Sequence, residues 1–208
     1  MIETIIREQY NQMAQIYDQR WKNYISKTLS FLKNWAEISS DQVVLDLGCG
    51  TGEFERLLLT ENPEQKIIGI DISEEMLVKA KYKCQGYPNV SFQQASVSSL
   101  PFNTHTFDVI VSASAFHYFE HPETAIQEIK RVLKPDGKVV ILDWCKDYLL
   151  MQFLDFGLKF VDPAYKKCYT ENEFHYLLTS GQFNIKRSTK FNIDLWWQMM
   201  IVAATPEN

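Results

Sequence analysis

In the stretch IETIIREQYNQMAQIYDQRW, Ile2, Ile5, Ile6, Tyr10, Met13 and Tyr17 recur at three- and four-residue intervals, the spacing of one apolar helix face. The first forty residues are therefore expected to be mainly helical. From QVVLDLG onward the pattern becomes short, almost continuously apolar runs separated by amphipathic stretches. It predicts a strand over 43–46, a helix over 52–59, a strand over 66–71, a helix over 73–83 and a strand over 90–94. FDVIVSA then reads as a strand, HPETAIQEIKRVL as a helix and GKVVILD as a strand, with KPDG as the turn before it. Strands that are apolar throughout and alternate with helices belong in a parallel sheet covered on both faces. The pattern predicts a doubly wound α/β fold.

Beyond Asp143 the rhythm changes. YLLMQFLDFGLKF reads as an aromatic-rich helix, a second helix is expected near 171–179, and FNIKRS with a stretch of LWWQMMIVAAT predicts two strands able to pair antiparallel. In such a strand Trp196 and Trp197 would face opposite sides. No internal repeat or long linker divides the chain, so residues 1–208 are expected to form one domain. Its expected parts are a helical cap at 1–40, a ligand-binding core at 41–145, an inserted cap at 146–170, and a helix with antiparallel strands at 171–208.

Composition narrows the function classes. A chain of 208 residues, 46% hydrophobic and 23% charged, suits one globular core. The net charge of −5 supplies no basic footprint, so no nucleic acid partner is expected. The first fifteen residues lack the apolar run of a signal peptide, and no later run approaches membrane-spanning length. A cytoplasmic protein without integral membrane contact is the expectation. Cys49, Cys84, Cys145 and Cys168 are scattered and have no metal-ligand spacing, so reduced, buried thiols and no metal are expected. The oligomeric state stays open.

The densest chemistry lies in VLDLGCGTGEF, Val44 to Phe54. A nucleoside triphosphate loop requires Gly-Lys-Ser/Thr after its glycines, whereas Gly50-Thr51-Gly52 runs into Glu53 and Phe54. A dinucleotide loop requires a third glycine where Glu53 stands, and an acid there would repel pyrophosphate. The loop therefore suits a ligand without phosphate. Asp71, at the end of the next strand and about twenty residues on, is placed to accept hydrogen bonds from both hydroxyls of a ribose. A plain strand-end acid or helix cap is the alternative for Asp71 taken alone.

VLDLGCGTG, GIDIS, LPF, FDVIVSASAFHYFEHP and RVLKPDGKVVI, in this order across 43–143, resemble the class I S-adenosylmethionine-dependent methyltransferases, specifically the type 11 small-molecule branch with its quinone-biosynthesis-like members. The resemblance implies a Rossmann-like, mostly parallel seven-stranded sheet with helices on both faces and the last strand antiparallel. It implies S-adenosyl-L-methionine as cofactor and S-adenosyl-L-homocysteine as product. By the same resemblance Gly48, Cys49 and Gly50 would lie against the methionine end, Asp46 would help fix it, and Asp71 would hold the ribose. Ile72 and Met76 would flank the adenine, Ala95 to Val97 would line its edge, and Ala113 would lie near the reactive end. Ser96 stands where relatives commonly carry an aspartate that accepts from the adenine amino group. Tyr17-Asp18 resembles an element that some relatives place over the cofactor, with plain helix packing as the alternative.

The expected reaction is methyl transfer to a small, apolar or aromatic acceptor. His117, following the fourth strand, is the candidate base or substrate contact, ahead of His105, His121 and His175; a packed side chain is its plainer reading. Met151, Phe153, Phe156 and Phe160, with Trp21 and Tyr24, are candidates for an apolar acceptor pocket, of which Trp21, Phe153 and Phe156 are singled out. Residues 1–30 and 146–165 are expected to close over it as a lid. The adenine-methylating signature of an acid or amide, two prolines and an aromatic is absent from SASAFHYF. Two other readings stay open at this point: an inactive, cofactor-binding partner subunit, and a nicotinamide-dependent oxidoreductase.

Overall fold

The apolar run before the glycine loop forms the central strand of the sheet. β1 (Val43–Leu47) pairs in parallel with β2 (Lys66–Asp71), which pairs in parallel with β3 (Val90–Gln94). On its other side β1 pairs in parallel with β4 (Phe107–Ala113), and β4 with β5 (Leu133–Trp144). Past β5 lie β6 (Phe183–Asn192) and β7 (Gln198–Pro206), giving the order β3-β2-β1-β4-β5-β7-β6. β7 slots between β5 and β6 and runs antiparallel to both. This is the mostly parallel, seven-stranded, Rossmann-like sheet with a reversed last strand. The computed structural model describes residues 2–162, 165–194 and 197–207; Trp196 lies outside them.

The helices are α1 (Ile2–Met13), α2 (Tyr17–Arg20), α3 (Lys22–Ala36), α4 (Glu53–Glu61), α5 (Glu74–Lys83), α6 (Pro122–Val132), α7 (Leu149–Val161) and α8 (Glu171–Ser180). Successive residues of each inner strand serve opposite faces of the sheet. Leu45, Ile110 and Ile141 pack toward Ile129 of α6 and Phe174 of α8. Val44, Val109 and Val140 pack toward Leu32 of α3 and Leu59 of α4. Burial on both faces explains why these strands read as apolar runs without alternation. Ser73 caps α5 by accepting from the Met76 amide, and Thr170 with Glu173 forms a capping box that starts α8.

One boundary differs from expectation. β5 begins at Leu133, upstream of KPDG, because two steps along β4 (Phe107 to Val109) match five along β5 (Leu133 to Lys138). Pro135 has no N–H for the ladder and Asp136-Gly137 favours a bend, so the turn is absorbed as a bulge inside the strand.

The chain moves from β1 outward to β3 and then crosses back to β4 on the far side of β1. At such a reversal of strand order the connections diverge, and a crevice opens beyond the carboxyl ends of the two central strands. Gly48 follows β1 there, and Ser114 follows β4.

Candidate active site

The glycine loop keeps its own amides. Gly48 and Cys49 both donate to the Ile70 carbonyl at 2.9 Å, Gly50 donates to Asp71 Oδ2 at 2.9 Å, and Gly52 donates to the Cys49 carbonyl at 3.1 Å. Those N–H groups are thereby withdrawn from any phosphate. Glu53, at the start of α4, is bound by Lys83 and Arg56, whose hydrogen bonds hold its carboxyl below the usual range against the upward push of burial. Asp18 accepts from Thr51 at 2.6 Å and pairs with Lys83 at 2.5 Å, so it fastens α2 to the loop.

Two more carboxyls lie behind the loop. Asp46 is 4% exposed and Glu55, on the sheet-facing side of α4, is fully buried. Burial, with the nearby Asp71 charge, pushes Asp46 up to about 8, and burial beside Asp46 raises Glu55 well above the usual range; neither Glu55 carboxyl oxygen has a hydrogen-bond partner among the described residues. Asp71 and Asp46, which line the crevice, make this end of it suited to a ligand with cationic centres and hostile to phosphate. S-adenosylmethionine, with a sulfonium, an ammonium and no phosphate, fits that donor set.

The crevice has three connecting lobes. The first is lined by Gly48, Gly50, Asp71, Ile72, Met76, Val97 and Ala113, bringing together most of the residues expected to touch the cofactor. The second is lined by Asp46, Cys49, Thr51 and Glu53 along with Tyr17 and Ala113. Ser96 is outside both and lines a side cavity that shares Glu3, Ile72 and Ala95 with the first lobe. Gly50 has φ +53°, and a Cβ built there meets no atom within 4 Å, so its bare side faces the crevice. At Gly48 a Cβ would instead come within 2.6 Å of Ala115 Cβ, so that glycine also serves packing.

The third lobe is a cavity of about 370 Å³, within the range of small-molecule sites. Aromatic rings dominate its wall: Trp21, Tyr24, Tyr118, Trp144 and Trp197. His117 lines it too. The imidazole is 2% exposed, stacks on Trp144 with centroids 4.1 Å apart, and places Nδ1 2.6 Å from Asp143 Oδ1. Donation from Nδ1 to that carboxylate leaves Nε2 as an acceptor, and Nε2 is buried without a hydrogen-bond partner among the described residues.

α7 contributes a different face from the one expected. Leu154 and Leu158 line the third lobe, while Phe153, Phe156 and Phe160 are 75%, 66% and 75% exposed and point outward. Phe153 and Phe156 are therefore not pocket residues. Asp155 decides this rotation: it is 3% exposed, accepts from Tyr165 Oη and the Cys168 amide, and binds Lys146 and Lys159. Despite burial, these donors hold its carboxyl well below the usual range. Once Asp155 faces inward, Phe153 and Phe156 must turn away. Met151 is buried beneath the helix with Tyr165 and Cys168.

Ser114, which the sequence pattern did not mark, completes the site alongside Tyr17. Tyr17 and Ser114 line all three lobes. Ser114 has φ +54°, an unfavourable backbone for a serine, held by donation of its amide to the Leu142 carbonyl at 2.8 Å. Its hydroxyl shares a 2.5 Å hydrogen bond with Tyr24 Oη, which in turn accepts from Trp144 Nε1 at 2.9 Å. All four cysteines are free and buried. Among the described residues no cluster of three or more His, Cys, Asp or Glu is placed to hold a metal ion, and no helix is long and apolar enough to cross a membrane.

Comparison with known proteins agrees with this geometry. A family model described as a methyltransferase domain matches residues 38–190. The chain is 28% identical over 197 residues to the methyltransferase YcgJ of Bacillus subtilis, covering 92% of this chain and 77% of that protein. It is 30% identical over 192 residues to the demethylmenaquinone methyltransferase of Lactococcus lactis, covering 86% and 76%. The crystal structure of YcgJ superposes with a TM-score of 0.74 at 22% identity over 87% of this chain and 98% of that one, a likeness of fold. The chain belongs to the class I S-adenosylmethionine-dependent methyltransferases.

Proposed function

We propose that the protein transfers a methyl group to a small, flat, apolar or aromatic acceptor held in the third lobe, with His117 taking up the acceptor's proton. The observation that carries the reading is the shared wall: Tyr17 and Ser114 border the two glycine-loop lobes and the aromatic lobe alike. A cofactor and an acceptor placed on either side of these residues meet there.

In this reading Asp71 holds the ribose hydroxyls, Ile72 and Met76 cover the faces of the adenine, and Val97 lies at its edge. Gly48, Cys49, Gly50 and Asp46 surround the methionine end, and Ala113 and Ser114 border the reacting centre. S-adenosylmethionine supplies, when bound, a methyl carbon on a sulfonium leaving group, so the protein's task is alignment and exclusion of water. The Trp21, Trp144 and Trp197 rings offer a flat acceptor broad contact surfaces, and Leu154 and Leu158 close the lobe from α7. The unpartnered Nε2 of His117 receives the proton released from the attacking oxygen or carbon, and Asp143 opposite Nδ1 stabilises the imidazolium that results. The demethylmenaquinone methyltransferase among the relatives supports a ring-shaped acceptor.

The test is an acceptor screen that follows S-adenosylhomocysteine formation with planar aromatic hydroxyl compounds, aliphatic amines and short peptides. Turnover confined to the planar set is expected. Methylation of amines or peptides by an enzyme that ignores the planar compounds would overturn the assignment of the third lobe.

A further inference from the structure

We propose that Glu3, carried on α1, is the hydrogen-bond acceptor for the adenine amino group, so that the nucleoside site is completed from the N-terminal end of the chain. The proposal rests on the cofactor assignment above and adds a residue to it.

The far end of the first lobe, past Asp71, is a slot made by Ile72, Met76, Ala95 and Val97. Apolar walls accept any flat base and distinguish poorly between bases that differ only in a polar substituent. Discrimination requires a polar group at the slot's edge. Ser96 is poorly placed to serve, because it faces the side cavity and its hydroxyl is engaged: it donates to Glu3 Oε1 at 2.5 Å and accepts from the Ser98 amide at 3.2 Å. Glu3 borders both the slot and the side cavity. With one carboxylate oxygen fixed by Ser96, the other is left for a ligand donor. Ser96 is thus a positioning residue for a carboxylate that arrives from 93 positions earlier in the chain.

The helix that carries Glu3 is built into this wall. Glu3, Ile6 and Tyr10 share one face of α1 and all line the first lobe. Asn11 fastens the helix to the start of α5: its Oδ1 accepts from Ser73 Oγ at 2.6 Å and the Glu75 amide at 3.3 Å, and its Nδ2 donates to Glu74 at 3.2 Å. A carboxylate can accept from the exocyclic amino group of adenine, whereas the carbonyl oxygen of hypoxanthine would meet it with two acceptors and no proton. Glu3 therefore makes recognition specific for adenine.

The experiment is calorimetric titration of wild type and Glu3→Gln with S-adenosylhomocysteine and S-inosylhomocysteine, with folding checked by circular dichroism and thermal unfolding. Wild type should prefer the adenosyl ligand. Glu3→Gln should bind it roughly 3- to 10-fold more weakly, since the amide keeps an acceptor but loses the charge assistance, and should narrow the preference because an amide can face either base. Ser96→Ala should show a smaller loss in the same direction. Unchanged S-adenosylhomocysteine affinity in Glu3→Gln would overturn the proposal while leaving the cofactor assignment standing. An equal loss for both ligands would also overturn it, since it would make Glu3 a strut of the helix. The same narrowing from Glu120→Gln, the third carboxylate on the lobe wall beside Glu3 and Asp71, would place recognition there and overturn it as well.

Discussion

His117 Nδ1 and Asp143 Oδ1 stand 2.6 Å apart with both side chains closed off from solvent, and Asp143 Oδ2 accepts the His117 amide at 3.1 Å. One carboxylate thus fixes both the ring and the backbone of the same residue. With an acceptor in hand, His117→Ala should lower kcat by roughly 10²- to 10⁴-fold, the usual share of general-base catalysis, and leave S-adenosylhomocysteine affinity within about twofold. Asp143→Asn should reduce kcat less, since an amide opposite Nδ1 still orients the ring but brings no charge to it. Wild-type turnover by a folded His117→Ala variant would reduce the pair to packing.

Gly50 tests the loop. A side chain there points into open crevice, so Gly50→Val should fold, at about 1 kcal/mol or more of backbone strain from φ +53°, and lose measurable binding of S-adenosylhomocysteine. Calorimetry on a variant shown to be folded by circular dichroism decides it; retained affinity would place the cofactor away from this loop.

The Asp46–Glu55 pair predicts how stability responds to pH. Folding raises Asp46 from the ordinary carboxylate range to about 8, so between about pH 4 and pH 8 the native state holds a proton that the unfolded chain has released. Stability from this pair is therefore full below the unfolded value and is lost as the pH rises toward 8, at up to about 1.4 kcal/mol per pH unit. Glu55→Gln removes the second buried acid, whose own raised carboxyl adds to the same loss. Thermal unfolding of the ligand-free proteins should show the variant gaining on wild type steadily from pH 5 to pH 8. Parallel pH curves would mean that folding does not raise Glu55.

α1, α2 and α7 together are proposed to close the site. Hydrogen exchange of residues 2–30 and 146–162 should slow when S-adenosylhomocysteine and a true acceptor bind together, and unchanged exchange in both segments would remove the lid. Leu158→Ala should raise KM for the acceptor roughly 5- to 50-fold with little change in cofactor affinity, as removal of part of an apolar wall does. Phe156→Ala should leave both unchanged, because that ring faces solvent.

How far the sequence could be read depended on where each interaction lies along the chain. The glycine loop and Asp71 are close in sequence and sit where strand ends meet helix starts, so spacing marked them as candidates; Ile72 and Met76 came only from the family resemblance, and all of them line one lobe. α7 was harder. LLMQFLDFGLKFV is apolar almost all round, its pattern does not mark an inner face, and the single acid that sets the rotation, Asp155, looked like the solvent side. Glu55 misleads in the same way: it occupies the buried face of α4 with Phe54, Leu58 and Leu59, where an acid reads as exposed unless its neighbour Asp46 is known. The Glu3–Ser96 and His117–Asp143 contacts join residues 93 and 26 positions apart, and no local pattern reports a contact between side chains brought together by the sheet.

The docking of α1 also orders events during synthesis. The helix leaves the ribosome well before the groups it binds: Asn11 waits for Ser73, 62 positions on, and Glu3 for Ser96, 93 positions on. At 12 residues α1 is marginal as an isolated helix in water, so its structure depends on a surface that does not exist until β1, β2, α5 and β3 have assembled. Closing so long a loop has an entropic cost that only the assembled sheet can offset. A segment made early is thus expected to settle late, so that a nascent chain gains its sheet before it gains the wall that α1 adds to the first lobe.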